Sequence, residues 1–129
     1  MLYKLPHSSS AVFEKAKDIF TLSQGLSEYV RGELAALKKD GNENQELYIT
    51  GDIIQQSTLL LPEIINAEQK EYSSDRAKHI ASVKHLTSRI YKTCERLETS
   101  LTTGKDFVWM LRKEIRKFQK LQKHWRLTL

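Results

Sequence analysis

Cysteine is almost missing from this chain. Cys94 is the single one, so no intramolecular disulfide can form. A reducing compartment is the simplest setting for such a chain, and a cytoplasmic location is expected. Five glycines and two prolines are too few for a turn-rich all-β protein, and the long stretches between them favour long helices. The segment Met1 to His7 lacks the apolar stretch of about 7 to 15 residues that a secretion signal needs. No run approaches the ~20 apolar residues required to cross a bilayer, so no membrane association is expected.

Catalytic and metal-binding patterns are equally scarce. There is no glycine-rich phosphate loop, no Gly-x-Ser-x-Gly and no His-Glu-x-x-His. The Glu-x-x-His pairs that build di-iron sites inside helical bundles are also missing. His7, His79, His85 and His124 have no ligand spacing, since His79 and His85 are six apart and fall on different helical faces. Cys94 sits at a core position with no visible base to activate it. These absences predict a protein that is not an enzyme and carries no cofactor or metal.

The chain's 129 residues, 40% hydrophobic and 29% charged, suit one domain that buries roughly two-thirds of its unfolded surface. Ser8, Ser9 or Ser10 can cap a first helix, whose core residues run Val12, Ala16, Ile19, Leu22, Leu26, Val30, Leu34 and Leu37. It ends at Lys38-Lys39-Asp40-Gly41-Asn42. A second helix directs Leu47, Ile53, Ile54, Ser57, Leu60, Leu61, Ile64 and Ala67 inward, with a kink expected at Pro62. Ser73-Ser74-Asp75 reads as a turn and cap. Ile80, Val83, Thr87, Ile90, Cys94, Leu97 and Leu101 then form a heptad seam, widened by Leu86 and Tyr91. Thr102-Thr103-Gly104 closes the third helix, and Thr103 or Gly104 can cap the fourth. Four amphipathic helices at about 9–39, 45–72, 74–102 and 104–127, joined by short connections, predict an all-α, antiparallel up-down-up-down four-helix bundle. It fills a single domain over 1–129.

Charge is segregated along the chain. From Glu43 to Glu71 there are six acids and one base, Lys70, whereas from Thr103 to the end there are eight bases and two acids, Asp106 and Glu114. The last helix therefore accounts for the formal net charge of +5. Its apolar stripe comprises Phe107, Val108, Leu111, Ile115, Phe118, Leu121 and Trp125. Around that stripe stand Arg112, Lys113, Arg116, Lys117, Lys120, Lys123 and Arg126. A charge run is commonly just a solvated face. Here acids are too few to neutralise it, and like charges at four-residue spacing repel, which favours a polyanion or an acidic partner.

Arg89, Lys92 and Arg96 offer a second basic row on the third helix. Trp109 is expected to point outward beside Lys113, Arg116 and Lys120, where it either stacks on a nucleobase or packs in a subunit interface. The acids of the second helix, Glu43, Glu46, Asp52, Glu63, Glu68 and Glu71, serve solubility or meet the basic helix of a neighbouring subunit.

The stretch Thr50-Gly51-Asp52-Ile53-Ile54-Gln55-Gln56-Ser57, continuing to Pro62-Glu63-Ile64-Ile65-Asn66-Ala67-Glu68, resembles a bacterial family. Its members are the small four-helix proteins of 23S ribosomal RNA intervening sequences. Ile53, Ser57, Pro62, Ile65 and Glu68 carry the resemblance, while Gln69 stands where glycine is usual in the ribosomal group. Gly51-Asp52 and the basic run Arg112 to Arg126 also look like the related accessory variability determinant of diversity-generating retroelements. The resemblance spans about Phe13 to Trp125. It implies a homopentamer with a central channel, a basic surface for nucleic acid (RNA or an RNA/DNA hybrid) and, in the retroelement branch, a reverse transcriptase as partner. The resulting expectation is a non-enzymatic, homo-oligomeric nucleic-acid-binding protein. The alternative is an interaction scaffold whose basic face docks an acidic partner or a neighbouring subunit.

Overall fold

A computed structural model describes residues 10–37, 45–101 and 104–129, without the side chains of 33–37. Over these residues the chain is all-helical: α1 (Ala11–Leu37), α2 (Gln45–Gln69), α3 (Ser73–Ser100) and α4 (Lys105–Leu127), with no strand among them. α1 packs on α2 and α4, and α3 packs on α2 and α4, as in a helical bundle. No helix among the described residues is long and apolar enough to cross a membrane.

The helix ends follow from local chemistry, with differences from the expected caps. Ser10 Oγ accepts a hydrogen bond from the Phe13 amide at 3.2 Å, which satisfies one of the free donors at the start of α1. Ser8, Ser9 and the Lys38–Asn42 segment lie outside the described residues. At α3 the expected serine cap is not used: Tyr72 is the N-cap with extended backbone, and Ser73, Ser74 and Asp75 already lie in the first turn. Asp75 still complements the positive end of that helix. Gly104 caps α4 at φ +81°, a left-handed conformation open to glycine, and its carbonyl accepts from the Phe107 amide at 3.1 Å. Thr102 and Thr103 lie outside the described residues.

One apolar cluster runs through all four helices, from Val12, Ile19 and Leu26 on α1 to Phe118 and Trp125 on α4. The α3 seam is buried from Val83 to Leu101, and its first member, Ile80, is half-buried. Hydroxyls in this core are satisfied without leaving their own helix. Ser23, Ser57 and Thr87 each donate to the carbonyl four residues back, at Ile19, Ile53 and Val83. α2 remains one helix through Pro62. At its start the inward residues are Ile49 and Thr50, while Leu47 is exposed, contrary to the expected stripe. The periodicity around Leu47 is broken by adjacent apolar residues, so the packing register decides which of them faces inward.

Cross-helix contacts set the register. Lys15 meets Glu114, and an added Cβ on Gly25 would lie 3.0 Å from the Phe107 ring, so glycine permits close approach of α1 and α4. Between α2 and α3, His79 Nδ1 lies 2.7 Å from Glu63 Oε2, and Thr93 Oγ1 donates to Gln56 Oε1 at 3.3 Å. Between α2 and α4, the Trp125 indole donates to Glu68 at 2.8 Å.

Candidate nucleic-acid interface

α4 combines a buried apolar stripe with a basic outer surface. Val108, Leu111, Ile115, Phe118 and Trp125 are buried, and Phe107 and Leu121 are partly so. That burial turns Lys113, Arg116, Lys117, Lys120, Lys123 and Arg126 outward, and all six are exposed. His124 and Arg126 in the last turn also suit the negative end of the helix.

Glu114, the lone acid between Phe107 and Leu129, reaches only Lys117 among the exposed cations of this surface. Its side chain is turned toward α1, where Lys15 Nζ donates to Oε2 at 2.7 Å. The other oxygen takes Lys117 at 3.2 Å. The hydrogen bond from Lys15 holds the Glu114 carboxyl below its ordinary range, and the same bond raises Lys15 above the usual lysine value. The charge of Lys117 is therefore partly neutralised at the surface of α4.

Arg112 is spent more completely. Its guanidinium reaches α3, where Nη1 donates to Glu98 and Nη2 donates to the Tyr91 hydroxyl at 3.0 Å. Its Nε is buried without a hydrogen-bond partner among the described residues. Hydrogen bonding to Tyr91, then to Glu98, raises its pKa further, and the bond from Arg112 lowers that of the Tyr91 phenol. Arg116 covers the same ring, with Cζ 4.1 Å from its centre, and Arg112 Cζ lies 5.2 Å away. Arg112 is thus half-buried in a clamp on α3, away from the outer cation row on which the sequence placed it.

Lys113, Arg116, Lys120, Lys123 and Arg126 form no ion pair with any described residue. Trp109 is 53% exposed, and Lys113 Nζ stands 4.3 Å from the centre of its ring. It borders a shallow α1–α4 groove with Met110, Lys15, Asp18, Glu114 and Lys117. Arg89, Lys92 and Arg96 are not brought to this row. They line a groove against α2 with Asp52, Gln55 and Gln56, on the side of α3 opposite the one that carries Tyr91 and Glu98 to α4.

The structure adds residues that charge counting passes over. Lys84 and Ser88 of α3 join Gln119, Gln122, Lys123 and Arg126 of α4 in an α3–α4 groove of about 410 Å³. Gln122 continues the apolar stripe four residues after Phe118, a spacing that marks it as an inward position despite its polarity. Glu63 and Glu68, read as surface acids, instead serve His79 and Trp125. Among the described residues no group of three or more His, Cys, Asp or Glu side chains is placed to hold a metal ion. Burial pushes the Cys94 thiol up to about 12, far from the thiolate a nucleophile requires.

Comparison with protein-family models, curated proteins and solved structures finds no match to this chain.

Proposed function

We propose that this chain is a non-enzymatic, cytoplasmic, homo-oligomeric protein that binds nucleic acid through phosphate contacts from α4. The observation that carries the reading is the unneutralised cation row of Lys113, Arg116, Lys120, Lys123 and Arg126, from which Glu114 is drawn away by Lys15. Such a row attracts a polyanion without base preference and releases its counterions on binding. RNA or an RNA/DNA hybrid is the proposed ligand. The architecture proposed with it is an antiparallel up-down-up-down bundle. Three sets of contacts support it: Lys15 with Glu114 and Gly25 with Phe107, Gln56 with Thr93 and Glu63 with His79, and Tyr91 with Arg112 beside the lining pair Lys84 and Lys123. In each set, residues later in one helix meet residues earlier in the next. Resemblance to the intervening-sequence and retroelement accessory proteins extends the proposal to a homopentamer and, in the retroelement branch, to a reverse transcriptase partner.

The test is fluorescence anisotropy of a structured RNA and an RNA/DNA hybrid across a salt series, on protein whose mass is fixed by light scattering. The expected result is a steep negative salt slope. It should become shallower by about one per charge removed in Arg116→Glu/Lys120→Glu, with every sequence weakened alike. Unchanged binding in the double variant would refute the site.

A second reading rests on the half-exposed Trp109 and Met110 beside the α1–α4 groove. Aromatic and methionine side chains are enriched at protein interfaces, and this groove mixes lysines with Asp18 and Glu114. On that reading the protein is a scaffold that docks an acidic partner or a neighbouring subunit. Purification at moderate salt separates the two, because only the first predicts co-purifying nucleic acid with high absorbance at 260 nm.

A further inference from the structure

The α3–α4 groove differs chemically from the groove beside Trp109 and from the one between α2 and α3. The groove beside Trp109 contains Asp18 and Glu114, and the α2–α3 groove contains Asp52. The α3–α4 groove is rimmed by Lys84, Lys123 and Arg126 and has no carboxylate among the described residues of its lining. It continues into a second depression that shares Lys84, Gln122, Arg126 and Leu127 and adds the small residues Ala77 and Ala81. Gln122 lines both depressions; it is only 6% exposed, and its carboxamide has no hydrogen-bond partner among the described residues. Although the residue is buried as a whole, its amide nitrogen and oxygen are not sealed off, so they open onto the groove. Water satisfies them there in the free protein, and a ligand can take its place.

We propose that this groove is a slot for one unstacked adenine of a single-stranded nucleic acid, a proposal that rests on α4 being a nucleic-acid face. A carboxamide matches adenine with two hydrogen bonds, accepting from the exocyclic amine and donating to the ring nitrogen beside it. The space of about 410 Å³ lies in the range of small-ligand sites and admits one nucleotide. In the adjoining depression the small side chains of Ala77 and Ala81 leave room for the edge of a flat ring, and the exposed Leu127, shared by both, gives an apolar border. Arg126 presents a guanidinium plane on which a base stacks, while Lys84 and Lys123 hold the flanking phosphates. Lys120, Arg116 and Lys113 continue along α4 as the track for the adjoining backbone. Duplexes meet only that track, since their bases are stacked and paired.

The test compares a short oligo-uridine strand, the same strand with a single adenine, and an RNA duplex, each titrated against the full chain at fixed salt. The wild type is expected to bind the adenine-bearing strand about tenfold more tightly than oligo-uridine, the scale of one bidentate amide pair. Gln122→Leu keeps an apolar volume in place and should abolish that preference without changing duplex affinity or its salt slope. Ala81→Trp, at an exposed position of the adjoining depression, should fill the slot with the same result and leaves the core untouched. Wild-type protein that binds both single strands equally while holding the duplex overturns the slot alone, as does a folded variant that retains the tenfold preference. Wild-type protein that binds none of the three overturns the slot and the nucleic-acid reading together.

Discussion

Gly104 shows how much can rest on one residue. It holds φ +81°, and a Cβ placed there would come within 2.6 Å of the Tyr29 ring. Gly104→Ala therefore meets two penalties, a left-handed backbone that costs an L-residue about 1–2 kcal/mol and a collision that pushes Tyr29 off the start of α4. The expected result is a loss of at least ~1.5 kcal/mol in urea unfolding with unchanged m-value. A variant as stable as the wild type would show that the junction relaxes freely. Gly104 is legible in the sequence as a helix boundary, because glycine after a threonine pair is a stop signal. Tyr29 is not, since it arrives from a distant part of the chain. The same limit hid the partners of Glu63, Glu68 and Arg112: a charge is visible in a sequence, but the helix that neutralises it is set by packing.

At the scale of elements, the periodicity of apolar residues located all four helices, and their observed ends fall within a few residues of the expected ones. Burial of Val108, Leu111, Ile115 and Phe118 then determined which way α4 faces. What periodicity could not resolve is the flank of a helix, where a residue is neither core nor fully exposed. Arg112 is such a residue, and its placement yields a prediction for the α3–α4 seam. Arg112→Gln removes charge-assisted bonds to Glu98 and Tyr91, and should cost about 1.5–3 kcal/mol of stability. Its effect on the salt slope of RNA binding should be smaller than that of Lys113→Gln. A stable Arg112→Gln protein with a markedly shallower slope would place Arg112 back on the ligand-facing row.

For the whole molecule, the Lys15–Glu114 contact between α1 and α4 defines a pH window. Glu114 titrates below its usual value of 4.5 in the fold, so its contribution is complete above that value and is lost as pH falls through the lowered one. Lys15 titrates above 10.5, so its contribution is complete below that pH and is lost as pH rises through the raised value. The Lys15–Glu114 pair should therefore contribute a flat, modest stabilisation of roughly 0.5–1 kcal/mol between these limits. A double-mutant cycle of Lys15→Met and Glu114→Gln, measured by denaturant unfolding across pH, should show the coupling vanish in acid. Coupling that persists well below the lowered Glu114 range would assign the contact to packing instead of charge.

That contact also makes α1 a thermodynamic partner of the cation row on α4. While α1 is docked, Lys15 keeps one oxygen of Glu114 turned inward and the outer cations unopposed. Were α1 to separate, the oxygen that Lys15 holds would join the one already paired with Lys117 in facing the cations of α4, and the attraction for a polyanion would fall. By reciprocity, a polyanion that favours the unopposed row tightens the hold of α4 on α1. Ligand occupancy is then felt as resistance of the first helix to opening, and slower amide exchange in α1 would register a molecule bound along α4.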